Sequence, residues 1–195
     1  MSVFISMAAF ALASSITPGP VNIVALSSGA QFGLGPALQH VTGATLGFTL
    51  LLVLTGLGMH EVLVRWAFLT QGIKWAGVGF LLYLACKLAM DNGRLNAEQT
   101  RDRPSMLRGA VMQWLNPKAW LACVAGMGAF AASGDARLIG QFSAIYFVIC
   151  YLSLACWALA GTFLRHCLSH ESGMRGFNRC MALLLLGCAV YLLVY

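Results

Sequence analysis

Apolar residues run along this chain in six long blocks, roughly 3–26, 38–59, 66–90, 106–131, 138–164 and 177–194. Most are at least the length of about 20 residues that a helix needs to cross a bilayer. None keeps the polar face of a soluble amphipathic helix, and none alternates with period two as a barrel strand does. The pattern predicts an all-α membrane protein with six transmembrane helices. Ala11-Leu12-Ala13 looks like a signal cleavage site, but no basic stretch precedes it and the apolar run resumes after Pro20. That block reads as the first span.

Two of the six blocks carry helix-start signals in their interior. The first is interrupted by Thr17-Pro18-Gly19-Pro20, the fourth by Asn116-Pro117 followed by Lys118. Thr and Asn are good N-caps, and Pro is well tolerated at the first helical position. Each of these spans is therefore expected to be two half-helices, the second starting near the bilayer midplane. There its first N–H groups are free and its dipole end is positive, as Val21–Ile23 and Lys118–Trp120 would be. A free helix end is costly in hydrocarbon unless it faces protein or water.

The two breaks occupy equivalent positions in blocks one and four. This suggests an internal repeat of three spans, residues 1–90 and 106–195, joined by a polar linker at 91–105. Three is odd, so the second copy is inserted upside down. Spans three and six agree, Gly79-Phe80-Leu81-Leu82-Tyr83-Leu84 reading against Gly187-Cys188-Ala189-Val190-Tyr191-Leu192. Paired broken spans in an inverted repeat point to a transporter with its site at the midplane. The two repeats would then form one integrated transport domain.

Composition sharpens this picture. Hydrophobic residues make up 59% of the 195 and charged residues 9%, where a soluble domain carries about 25% charged. A water-soluble globule is excluded. Twelve Lys and Arg against six Asp and Glu give a net charge of +6, which in a membrane protein marks cytoplasmic loops rather than a nucleic-acid partner. Lys87, Arg94, Arg101, Arg103, Arg108, Arg165, Arg175 and Arg179 fall on one face; Arg65, Lys74 and Arg137 fall on the other. This asymmetry places the 91–105 linker in the cytoplasm and both termini outside.

The candidate site gathers at the breaks: Thr17, Pro18, Gly19, Pro20 and Asn22 at the first, Gln113, Asn116, Pro117 and Lys118 at the second. Positive half-helix ends accept a carboxylate, and the neutral amides suit a zwitterionic amino acid. Lys118 is the ionisable residue placed well inside a span. Two roles are open to it: pairing with the substrate carboxylate and carrying a proton, or bonding backbone carbonyls to hold the break open. The seven cysteines form no CxxC and read as packing residues. His166-x3-His170 with Glu171 has metal-ligand spacing but lies in a basic loop, so no metal is expected. No nucleotide motif or nucleophile elbow is present, so neither an enzyme nor a cofactor is expected.

At these residues the sequence resembles the LysE/RhtB family of amino-acid exporters. The matching features are Thr-Pro-Gly-Pro-x-Asn at 17–22, Ala25-Leu26-Ser27-Ser28, Trp75-Ala76-Gly77, Tyr83-Leu84, Asn116-Pro117-Lys118, and Cys156-Trp157-Ala158-Leu159-Ala160-Gly161. The pattern is most similar to the cysteine and O-acetylserine exporter branch. The resemblance implies an inner-membrane exporter of small neutral amino acids of the cysteine, O-acetylserine, homoserine or threonine type, driven by protons, and it admits a homodimer. It leaves the proton carrier open, because Glu61, Asp91, Glu98, Asp102, Asp135 and Glu171 all fall in or beside loops. A membrane thiol-disulfide conductor and a non-transporting scaffold are the competing classes. The first needs a cysteine pair on the two broken spans, and span one has no cysteine.

Overall fold

The computed structural model describes residues 3–59, 67–90, 104–167 and 171–194. The 59–66 loop is thus described only at Met59, and the 91–105 linker only at Pro104 and Ser105. The His166–His170 side-chain pair lies outside the described residues. Among the described residues, eight α-helices follow in order: α1 (Val3–Ile16), α2 (Pro20–Phe32), α3 (Leu34–Leu54), α4 (Ala67–Ala89), α5 (Met106–Trp114), α6 (Pro117–Phe130), α7 (Ala136–Cys167) and α8 (Glu171–Val194). The fold is all-α and membrane-associated. Among the described residues, Leu34–Gly58 and Ala136–Leu164 are long and apolar enough to cross a bilayer. The pair α1 and α2 makes a third span if its 61° bend is taken within one crossing.

The first and fourth apolar blocks are each divided in two, at the places where Pro and a capping residue interrupt them. Gly19 is extended and hands over to Pro20 at the first position of α2. Asn116 does the same for Pro117 of α6. A single residue, Gly33, turns α2 into α3; its φ of 81° is open to glycine and costly for a side chain. At its other end α3 runs into a π-turn, Thr55–Met59, where Gly58 takes φ 104°.

Small residues decide how closely the helices approach. α2 lies against α7, where a Cβ on Gly161 would overlap the carbonyl of Leu26 and one on Gly29 would overlap that of Ala158. α3 lies against α5 in the same way, Gly43 meeting the Met106 carbonyl and Gly109 that of His40. Such backbone-to-backbone crossings hold helices together where lipid supplies no hydrophobic drive. The main core joins α1, α2, α3, α6 and α7 around the rings of Phe10, Phe48, Phe130, Phe142 and Tyr146. α4 and α8 pack on each other through Leu81, Ala85, Leu185 and Ala189, and reach the rest through Ile23 of α2. Leu107, Leu121, Phe163 and Leu183 point outward and are exposed, an apolar surface suited to acyl chains.

Candidate functional site

The first break leaves a run of backbone carbonyls without helical partners, and each of residues 15 to 18 finds one elsewhere. Asn22 Nδ2 donates to the Ser15 carbonyl at 2.9 Å. Trp157 Nε1 of α7 donates to that of Ile16 at 3.1 Å. Lys118 Nζ of α6 donates to the Thr17 carbonyl and lies 3.5 Å from that of Pro18. The Thr17 hydroxyl turns back to the Ala13 carbonyl. Broken backbone at membrane depth is tolerated when protein satisfies it in this way.

Lys118 belongs to the first turn of α6, where a helix dipole disfavours a cation. Its ammonium reaches across to the C-terminal end of α1, where the dipole favours one. Gly19 makes room for it: a Cβ there would stand 3.1 Å from Lys118 Cδ. Glycine at the first break is thus matched to lysine at the second.

The two helix starts differ. At α6, Asn116 Oδ1 accepts the Lys118 N–H at 3.1 Å, and the Asn116 carbonyl accepts those of Ala119 at 2.9 Å and Trp120 at 3.4 Å. The expected free N–H groups at Lys118–Trp120 are therefore absent, because the cap residue consumes all three. At α2 no side chain caps the helix. Ile23 N–H returns to the Gly19 carbonyl at 3.0 Å, which removes it from the expected set. Val21 and Asn22 retain N–H groups with no acceptor among the described residues, and both residues line a cavity between the breaks.

That cavity has a volume of about 30 Å³, room for one or two waters and too little for an amino acid. Of the residues expected at the site, Asn22, Gln113, Asn116 and Lys118 line it. Thr17, Pro18, Gly19, Pro20 and Pro117 shape the breaks but do not line it. Four further polar residues do: Ser14, Ser15, Tyr146 and Cys150. Tyr146, Cys150 and Leu154 recur every fourth residue on α7 and present one face to the cavity. That spacing was readable, but in a long apolar run it does not say which face meets the breaks. Gln113 and Asn116 are tied to each other, Asn116 Nδ2 donating to Gln113 Oε1 at 3.3 Å.

Chemically, the cavity offers one ammonium, two uncapped N–H groups on a positive helix end, and a ring of neutral amides and hydroxyls. Among the described residues, none that lines it is acidic. It matches a carboxylate at one end and neutral polar groups at the other. It has nothing to pair with a cationic side chain.

Residues 12–195 match the family described as LysE type translocator. The chain is 30% identical to the cysteine/O-acetylserine efflux protein of Escherichia coli O157:H7 over 184 residues, 93% of this chain and 92% of that one. Its identity to the protein of the same name from Escherichia coli strain K12 is 29% over the same shares. No solved structure matches.

Proposed function

Because the chain belongs to the LysE type translocator family, we propose that it is a secondary transporter of the inner membrane that exports small neutral amino acids of the cysteine and O-acetylserine kind. Similarity over nearly the full length of efflux proteins for those two compounds supports the substrate class. The cavity chemistry supports it independently. An unpaired cationic side chain is expensive at mid-depth, so lysine is a poor substrate.

The finer reading adds six spans in two inverted repeats, termini outside, and the break residues as the substrate site. The observation that carries it is the meeting of two interrupted helices at one polar cavity with a single cation. In this arrangement the substrate carboxylate takes the Val21 and Asn22 N–H groups and draws the Lys118 ammonium from the carbonyls of Thr17 and Pro18. Releasing those carbonyls loosens the first break, which widens a cavity now too small for substrate. Binding and opening are thereby linked through one side chain. Export against a gradient needs a coupling ion, and the proton gradient is the source proposed here.

Uptake of O-acetylserine into inverted membrane vesicles, with and without a proton gradient, tests the reading. Lys118→Met should insert normally but reduce uptake at least about tenfold, the effect of losing one charge-assisted hydrogen bond. Lys118→Arg should be impaired too, because a planar guanidinium does not reproduce the compact ammonium that bonds the carbonyls of Thr17 and Pro18. Wild-type rates in both variants would remove Lys118 from the site.

A further inference from the structure

Aromatic rings wall the cavity between the breaks on one side. Tyr146 and Phe48 line it, and their ring centroids are 4.4 Å apart. Phe142 stands four residues before Tyr146 on α7, about 6 Å along the axis at 1.5 Å each, and its centroid is 5.6 Å from that of Tyr146. Phe10 of α1 and Phe130 of α6 complete the group. Phe10 meets Phe130, Phe142 and Tyr146 at 5.9, 6.1 and 6.5 Å, and Phe130 lies 5.1 Å from Phe142. Phe142, Tyr146 and Phe48 are 0%, 2% and 3% exposed, so no amino acid passes between them in this state. α1 ends at the first break and α6 begins at the second, so Phe10 and Phe130 both lie to the N-terminal side of the breaks. Substrate leaving the cavity toward that side has to part these rings.

The helix that carries Phe10 is built to move. α1 joins α2 through three non-helical residues, Thr17 to Gly19, at a bend of 61°, and a few residues at an element's end suffice as a hinge. It meets α6 at two levels. At the break, Lys118 Nζ holds the carbonyls of Thr17 and Pro18. Further out, Phe10 lies against Phe130 and beside Gly126, where a Cβ would stand 3.0 Å from the Phe10 ring and 2.7 Å from that of Phe142. A competitor for the ammonium breaks the first contact. The second is ring on ring, a weak contact that parts and re-forms. Asn22 and Trp157 tie the same end of α1 to α2 and α7. When Lys118 lets go, α1 is still anchored to those two helices but is free to leave α6.

We propose that these five rings are the outer gate of the export path and that α1 is its moving leaf, released by Lys118 when substrate binds. The proposal deepens the export reading above and rests on it, with the N-terminus outside. A substrate carboxylate that draws Lys118 from the Thr17 and Pro18 carbonyls frees the inner end of the α1–α6 seam. α1 then tilts on α7, Phe10 leaves Phe130 and Phe142, and the path opens beyond Tyr146. Once the cavity is empty the ammonium returns to the carbonyls and the rings close. The gate therefore opens only when the site is occupied.

Cys150, buried and lining the cavity behind the rings, reports on the gate. The first test uses full-length protein in right-side-out vesicles, with Cys150 as the sole cysteine and a membrane-impermeant sulfonated methanethiosulfonate added outside. O-acetylserine loaded inside should speed labelling at least about threefold, the size of a modest shift toward the open state. Phe10→Ala loses three ring contacts and should label at least about tenfold faster without substrate. Phe163→Ala, an exposed ring away from the group, should label as its parent does. Lys118→Met should lose the response to O-acetylserine. The second test is uptake of O-acetylserine into inverted vesicles by Phe10→Cys with Phe130→Cys in a cysteine-free background. A short bifunctional methanethiosulfonate should stop uptake, and dithiothreitol should restore it; either single variant should be insensitive to the reagent. Full uptake by the cross-linked pair would make the rings a static core and overturn the gate. So would labelling of Phe10→Ala at the parent's rate, an acceleration by substrate that survives in Lys118→Met, or acceleration seen only with reagent on the cytoplasmic side. A wild-type protein that takes up none of the small neutral amino acids would instead refute the export function itself.

Discussion

Asn116 serves both the fold and the site, and three substitutions separate the two contributions. Its Oδ1 caps α6 and its Nδ2 satisfies Gln113 Oε1, both in buried surroundings. Asn116→Ala removes both. Loss of a cap costs roughly 0.5–2 kcal/mol, and a buried acceptor left without a donor costs about 1–3 kcal/mol. The sum is about 1.5–5 kcal/mol of stability. Asn116→Ser keeps an oxygen to accept from the helix start, so it should recover about 1 kcal/mol of that loss. Asn116→Asp keeps the cap and places a negative charge on a positive helix end, which is favourable. The Gln113 amide can turn over to donate to it. This variant should be close to wild type in stability.

Its export should nevertheless collapse. A carboxylate at position 116 lines the same small cavity as the Val21 and Asn22 N–H groups proposed to take the substrate carboxylate. Two like charges about 4 Å apart repel by about 4 kcal/mol at an effective dielectric constant near 20, enough for a loss of about a thousandfold. The assay pairs unfolding of the detergent-purified protein, followed through Trp114 and Trp120 beside the break, with uptake into inverted vesicles. Asn116→Ala as stable as wild type would refute the cap argument. Asn116→Asp exporting at the wild-type rate would refute a carboxylate site here.

The remaining predictions address the scaffold and the topology. Gly161→Ala and Gly29→Ala should each destabilise by about 3 kcal/mol or more, since their Cβ atoms meet backbone across the α2–α7 crossing. Gly140→Ala, with nothing near its Cβ, should be neutral or stabilising by up to about 1 kcal/mol; equal effects in thermal unfolding would contradict the crossing. Trp157→Phe loses the bond to the Ile16 carbonyl and should cost about 1 kcal/mol, measured by the same unfolding assay. Asn96→Cys in a cysteine-free background should resist membrane-impermeant maleimide added to intact cells and react after permeabilisation, because the basic asymmetry puts the linker inside. Ready labelling of intact cells would reverse the orientation.

Much of this protein is legible in local sequence. The membrane class follows from apolar run length and charge content, which need no tertiary knowledge. Both helix interruptions follow from Pro beside a capping residue, a signal that acts within one turn. Asn22, Gln113, Asn116 and Lys118 stand close enough in the chain to those interruptions to be picked out. What the local signals do not contain is which groups meet across the bundle. Lys118 reaches a carbonyl 101 residues earlier, and only the packing of α6 beside the end of α1 decides that. The difference between the two helix starts, by contrast, is local: Asn116 caps the helix that begins at Pro117, whereas the residue before Pro20 is Gly19, which has no side chain to cap with. Tyr146 and Cys150 entered the cavity unannounced because every face of α7 is apolar enough to be turned inward. Ser27 and His40 are likewise unremarkable where they stand in the chain, and only the packing of the helices around them buries both and leaves Ser27 Oγ and His40 Nε2 without a hydrogen-bond partner.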